Sequence, residues 1–163
     1  MEVPKDKFAG KSALVIDDEL MMRRLVGQLL AEIGFKTIVY AEDGAEGLKT
    51  LENNDAIDIV ICDLEMPLIG GLEFLNMLRS SSYIRDPNMP VVVVTGHSEE
   101  QNVHKAVKIG VHGFLVKPIS RKNLESRVFH ALHYGKIDPE QLQHKNQPEN
   151  IYDAPVILDF NKK

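Results

Sequence analysis

Val91-Val92-Val93-Val94 is a run of four β-branched residues with no polar alternation. Such a run suits a strand buried on both faces, which means a parallel sheet covered by helices on each side. Strand-length apolar runs occur five times in all: Ser12–Ile16, Lys36–Tyr40, Ile57–Cys62, Pro90–Thr95 and His112–Val116. Helical periods fill the gaps. The first carries Met21, Met22, Leu25, Val26, Leu29, Leu30 and Ile33 at three-and-four spacing and stops at Gly34. The second opens at Asp43, with Glu46 three residues on as in a capping box. The third follows Met66-Pro67 and holds Leu72, Leu75 and Leu78. The fourth opens near Ser98, with Gln101 three residues on, and ends near Gly110; the fifth runs from about Ser120 to Gly135. Five strand–helix alternations imply an α/β fold, a doubly wound five-stranded parallel sheet with helices on both faces.

With 163 residues, 44% apolar and 26% charged, the chain has the makeup of one soluble globular domain. A net charge of −5 argues against a nucleic-acid partner, which rewards a basic surface. The single cysteine, Cys62, rules out an intramolecular disulfide, and inside an apolar run it reads as a small buried hydrophobe. No apolar run approaches the roughly 18 residues of a membrane span, and Met1 to Lys7 lack the apolar core of a signal peptide. A cytoplasmic protein with no membrane partner is the expectation.

Two of the strands end in acids. Ala13-Leu14-Val15-Ile16 runs into Asp17-Asp18, and Ile57 to Cys62 runs into Asp63. In parallel sheets of this kind ligands collect beyond the carboxyl ends of the strands, where strand order reverses, so the topology predicts that these acids converge. Three carboxylates brought together repel one another. A divalent cation relieves that, and oxygen-only ligation favours a hard ion such as Mg²⁺.

Asp63 is the candidate nucleophile, since a carboxylate can accept a phosphoryl group as an acyl phosphate. Thr95, at the end of the fourth strand and followed by Gly96, offers a hydroxyl to a phosphoryl oxygen. Lys117-Pro118, after the fifth strand, offers an ammonium. Read singly, each has a plainer meaning: a turn acid, helix-capping acids at Asp17-Asp18, a β-branched strand residue and a snorkelling lysine. Their placement on four separate strand ends has no common structural cause.

Asp17-Asp18, Asp63 with Met66-Pro67 and Gly70-Gly71, Thr95-Gly96 and Lys117-Pro118 resemble the motif set of the receiver domain of two-component response regulators. The stretch Val15 to Arg24 looks like the start of single-domain chemotaxis regulators. The similarity covers residues 10–135, with 1–9 as an N-terminal extension and 136–163 as a C-terminal tail. The resemblance implies a flavodoxin-like fold and phosphorylation of Asp63 by a sensor histidine kinase or a histidine phosphotransfer protein. It also implies Mg²⁺ held by Asp18, Asp63 and the backbone carbonyl of Glu65, with Asp17 acting through water. Thr95 and Lys117 would bind the phosphoryl group, and Thr95 and Phe114 would form the switch. Glu65 and His97, two residues after Asp63 and Thr95, would tune phosphoryl lifetime. The switch ring is Phe114 where many relatives carry tyrosine, so no phenolic hydrogen bond can hold it inward.

Phosphorylation adds roughly −1.5 to −2 charges and three acceptor oxygens at one spot. Movement of Thr95 towards them would open space for an aromatic ring and reshape the face made by the fourth helix, fifth strand and fifth helix. Such a chain signals by binding an output protein and is no enzyme beyond its own phosphorylation and dephosphorylation. A phosphotransfer intermediate or phosphate sink is the alternative. An aspartate-dependent phosphatase fits poorly, because it would place a second Asp two residues after the nucleophile on the first strand. No DNA-binding segment is expected after the domain, since from Lys136 onward four Lys face five Asp or Glu. Asp138-Pro139 predicts a short helix in the tail. Ile151, Tyr152, Val156, Ile157, Leu158 and Phe160 are dense enough to dock on this domain, on a second copy in a homodimer, or on the output partner.

Overall fold

The computed structural model describes residues 6–96 and 100–140. The chain alternates strand and helix: β1 (Ser12–Ile16), α1 (Leu20–Ile33), β2 (Thr37–Ala41), α2 (Gly44–Asn53), β3 (Ile59–Asp63), α3 (Gly71–Arg79), β4 (Val91–Thr95), α4 (Glu100–Ile109), β5 (Gly113–Val116) and α5 (Arg121–His133). The strands form one sheet in the order β2-β1-β3-β4-β5, and every pairing is parallel. This is the doubly wound, flavodoxin-like order. Because β1 and β3 lie side by side, Asp17 and Asp63 emerge next to each other at the same edge.

Side chains on each strand alternate between two cores. Val91 and Val93 pack with Phe74, Leu75, Leu78, Val103 and Phe114 against α2, α3 and α4. Val92 and Val94 pack with Val26, Leu30, Leu124 and Val128 against α1 and α5. Both cores exclude water, which is why the valine run carries no polar residue.

The helix ends follow from local chemistry. Gly34 adopts φ 113°, and its N–H and that of Phe35 return to the carbonyls of Ala31 and Leu30, the left-handed C-terminal cap that glycine favours. Asp43 Oδ1 accepts the Glu46 amide at 2.8 Å, while Glu46 Oε2 accepts the Glu42 amide at 2.9 Å. The reciprocal arm of the box thus reaches one residue further out than expected. Ser120 caps α5 by accepting the Asn123 amide.

Several boundaries differ from the sequence reading. The third strand begins two residues later, at Ile59, because the Asp58 carboxylate turns aside to accept the Ser12 amide at 2.8 Å. It then includes Asp63, placed opposite Val94. On α1 the buried stripe is Arg23, Val26, Gly27, Leu30 and Ile33, while Met21 is 75% exposed and Leu25 40%. A charged residue therefore faces inward where two apolar ones were expected.

The core also extends past the limits expected for the domain. Phe8 is buried and stacks on Phe35 at 5.2 Å, and Lys7 Nζ sits 3.3 Å from the centre of the Phe129 ring. Ile137 is buried, with its amide on the Val111 carbonyl at 2.8 Å. Asp138 Oδ1 accepts the Glu140 amide as helical geometry begins at Pro139. The remainder of the tail, including the apolar cluster Ile151 to Phe160, and the expected cap at Ser98 lie outside the described residues.

At the opposite edge of the sheet from the acids, Arg79 closes the last turn of α3. Its Nε and Nη2 donate to the Gly110 carbonyl at 2.9 and 2.8 Å, and Nη1 donates to the Pro87 and Met89 carbonyls, both at 2.8 Å. Burial pushes its pKa down to about 10. Nearby, buried His112 accepts the Val91 amide on Nδ1 at 3.3 Å.

Candidate functional site

The carboxyl ends of β1 and β3 deliver Asp17, Asp18 and Asp63 as a cluster in which one oxygen from each lies within 4.8 Å of the others. Asp17 and Asp63 are buried and Asp18 is exposed. Neither Asp17 nor Asp18 caps α1, whose N-cap is Glu19 with no side-chain bond. Instead Asp17 Oδ1 accepts the Glu19 amide at 2.9 Å, its own amide donates to Ala41, and its carbonyl accepts from Arg23 Nη1 at 2.7 Å. The acid turn is thus fixed from β2 on one side and from α1 on the other.

Asp63 Oδ1 accepts the Glu65 amide at 3.1 Å, and Oδ2 faces Lys117 Nζ at 3.3 Å. Burial foremost, with the Asp17 charge adding to it, pushes the Asp63 carboxyl up to about 6 against those two hydrogen bonds. Burial likewise raises Asp17, opposed by the Glu19 amide. For Lys117 burial works downward, but the charges of Asp63 and Asp17 outweigh it and its pKa is raised. Two crowded acids and one ammonium leave an excess of negative charge in a confined space, which suits a hard divalent cation.

Gly71 has a definite steric reason. A Cβ there would meet the Asp63 carbonyl at 2.6 Å and Leu64 Cα at 2.7 Å. Only glycine lets α3 begin against the backbone of Asp63 itself. Across the site, Thr95 is fully buried, and its hydroxyl lies 3.2 Å from the Gly96 carbonyl and 3.4 Å from Glu65 Oε1. The Gly96 amide donates to that same Glu65 oxygen at 3.1 Å.

β5 continues the frame, with the Lys117 amide donating to the Thr95 carbonyl at 2.9 Å and the Lys117–Pro118 bond cis. Phe114 is 2% exposed and opposite Val93, with its ring inward, and its carbonyl accepts from Arg127 Nε at 3.1 Å.

The structure therefore brings together Asp17, Asp18, Asp63, Glu65, Thr95 and Lys117, with Phe114 buried against the neighbouring strand; His97 lies outside the described residues. Cys62 is buried with its thiol pushed well up by desolvation, as a packing residue should be. Sequence reasoning missed Arg23, whose guanidinium grips the Asp17 carbonyl at this edge, and Arg127, which grips the Phe114 carbonyl within β5. The available signal was an arginine in phase with Val26 and Leu30 on the inner stripe of α1.

The model of the response regulator receiver domain family matches residues 13–129. The chain is 31% identical over 115 residues to chemotaxis protein CheY-3 of Vibrio cholerae, covering 71% of this chain and 86% of the relative. It is 32% identical over 122 residues to the chemotaxis protein CheY homolog of Campylobacter jejuni, covering 75% and 92%. Among solved structures, a response regulator receiver domain protein from Clostridium thermocellum superposes with a TM-score of 0.69 at 29% identity. That match covers 82% of this chain and 98% of that one. Chemotaxis response regulator CheY4 of Vibrio cholerae gives 0.66 at 26%, over 75% and 98%. With the acids, the threonine and the lysine gathered at the strand ends, this chain belongs to the response regulator receiver family and is similar to its chemotaxis regulators.

Proposed function

We propose that this chain is a single-domain response regulator. It takes a phosphoryl group on Asp63 from the phosphohistidine of a sensor kinase or phosphotransfer protein, and signals by binding an output protein. One observation carries the reading: Asp63, buried beside Asp17 and Asp18, faces Lys117 Nζ at 3.3 Å.

In the transfer an Asp63 oxygen forms a bond to phosphorus while the phosphorus–nitrogen bond breaks. The leaving imidazole nitrogen keeps the electron pair. Asp17, Asp18 and Asp63 would hold Mg²⁺, joined by the Glu65 backbone carbonyl, with Asp17 working through water. Mg²⁺ supplies charge neutralisation for the crowded carboxylate and phosphoryl oxygens. Lys117 needs little movement to meet a phosphoryl oxygen on Asp63. Thr95 leaves its resting partners to donate to another, and the Phe114 ring, already buried, repacks into the space it vacates. The face formed by α4, β5 and α5 then presents a different surface to its partner. Glu65 and His97, two residues after Asp63 and Thr95 in the sequence, would tune phosphoryl lifetime.

The chain acts on no separate substrate in this reading. The cytoplasm, where such kinases present their phosphohistidine, is its proposed location. No helix among the described residues is long and apolar enough to cross a membrane.

The test is incubation with a small acyl phosphate and Mg²⁺. Base-labile label should appear on wild type and be absent from Asp63→Ala, and a pull-down should capture a partner only with the labelled form. Equal labelling of both proteins would sink the assignment.

A further inference from the structure

Arg23 sits on the inner stripe of α1, and its side chain is 11% exposed. Burying a guanidinium is costly unless something compensates it. Glu42 does not: its oxygen is 3.7 Å from Nη2 and its side chain is 72% exposed, the kind of pair that contributes little. An aliphatic side chain would pack beside Val26 and Leu30 without that cost. What the guanidinium alone provides is the 2.7 Å hydrogen bond from Nη1 to the Asp17 carbonyl.

That carbonyl belongs to the peptide joining Asp17 to Asp18. The preceding peptide is held by the Asp17 amide on the Ala41 carbonyl at 3.2 Å. The following peptide, between Asp18 and Glu19, is held by the Glu19 amide on Asp17 Oδ1 at 2.9 Å, so with all three planes fixed the directions in which the Asp17 and Asp18 side chains leave the backbone are fixed too. We infer that Arg23 is a positioning residue for the metal-binding acids, acting through the peptide plane between Asp17 and Asp18. The inference rests on the reading of Asp17, Asp18 and Asp63 as the Mg²⁺-holding set.

The sign of the effect separates positioning from simple electrostatics. A positive charge near a cation site weakens cation binding, so loss of the charge alone would tighten Mg²⁺. Loss of positioning weakens it. Groups that orient metal ligands without touching the metal typically control affinity by about 10- to 100-fold.

The experiment is calorimetric Mg²⁺ titration of the full chain as wild type, Arg23→Met, Arg23→Lys and Asp18→Asn. Thermal stability in chelator is measured alongside. Arg23→Met should raise the Mg²⁺ Kd by about tenfold. The Mg²⁺ concentration for half-maximal labelling of Asp63 should rise with it. Arg23→Lys should recover much of the affinity, because an ammonium can still donate to the carbonyl. Should Arg23→Met fail to fold, Arg23→Lys still decides the matter, with a Kd between twofold above wild type and the Arg23→Met expectation supporting the inference. Mg²⁺ binding within twofold of wild type or tighter in Arg23→Met, or in Arg23→Lys where Arg23→Met does not fold, overturns it, even if thermal stability falls. A wild type that binds no Mg²⁺, or an Asp18→Asn protein that binds it normally, overturns the metal reading and this inference with it.

Discussion

Glu65 Oε1 lies 3.1 Å from the Gly96 amide nitrogen and 3.4 Å from the Thr95 hydroxyl. One carboxylate in the resting protein therefore occupies two donors that the proposed phosphoryl group would need. A dianion arriving on Asp63 has to displace it, against like-charge repulsion. Glu65→Ala should bind a phosphoryl mimic such as beryllofluoride about tenfold more tightly, the scale of one charge-assisted hydrogen bond. Glu65→Gln should fall between the two, since it keeps an acceptor and drops the charge. Equal affinities across the three proteins would make Glu65 a bystander.

Asp63 makes the metal-free site a source of instability. Its folded pKa, pushed up to about 6, exceeds the unfolded value, so folding favours the protonated acid. The resulting stability is present in full below about pH 4 and lost as pH rises through 6. At neutral pH the ionised group costs roughly 3 kcal/mol, at about 1.36 kcal/mol per pKa unit. In chelator, Asp63→Asn should therefore unfold at higher denaturant than wild type at pH 7.5, and the gap should close towards pH 4. Adding Mg²⁺ should stabilise wild type and leave the variant unmoved. A constant gap across that range would contradict the raised pKa.

Lys117 is expected to matter more for output than for folding. Its ammonium is partly exposed and forms one contact to Asp63 in the described structure. Lys117→Ala should keep its thermal midpoint within a few degrees, accept label from a small phosphodonor, and lose at least tenfold in phosphorylation-dependent partner capture. Lys117→Arg should not restore it, because a planar fork cannot present a point charge at the same position. Normal partner capture by Lys117→Ala would remove the residue from the switch.

His112 is expected to limit the stability of the fold in acid. Burial foremost, with Arg79 and Lys136 nearby, lowers its pKa to about 4, and its Nδ1 accepts the Val91 amide as a neutral ring. The folded pKa lies below the unfolded one, so the stabilisation is full above about pH 6.5 and lost as pH falls through 4. The loss amounts to roughly 3 kcal/mol. Because Asp63 changes in the opposite sense over the same window, the measurement belongs in the Asp63→Asn background. There the denaturant midpoint should fall steeply between pH 6.5 and 4.5, and His112→Met should flatten the profile. Parallel profiles would show that another group limits acid stability.

What could be read from the sequence was whatever a short stretch of chain decides for itself. The valine run, Gly34, the Asp43 cap and the start of the fifth helix about Ser120 each depend on neighbours within a few residues, and each stands where it was expected. The meeting of Asp17, Asp18 and Asp63 was also accessible, because parallel order forces strand ends to one edge. Direction was not. Spacing on α1 put Arg23 in phase with Val26 and Leu30, but it equally offered Met21 and Leu25, and which of these turns inward depends on where β2 and the acid turn sit. The Glu65–Gly96 contact spans 31 residues, and Phe8 and Ile137 dock on Phe35 and Val111, loop residues far from them along the chain. No local pattern encodes such pairs.

Arg79 gives the molecule a mechanical asymmetry. Its two bonds to the Gly110 carbonyl hold the chain where α4 ends, while α4 begins at Glu100, a few residues beyond Thr95. A push delivered at the Thr95 end acts on a rod of ten residues, about 15 Å long, that is pinned at its far tip. Such a rod does not slide; it swings about the pin. Displacement would then be greatest beside Asp63, the proposed phosphorylation site, and fade towards Gly110. A partner gripping the early turns of α4 would feel the full stroke, and one gripping its last turn almost none.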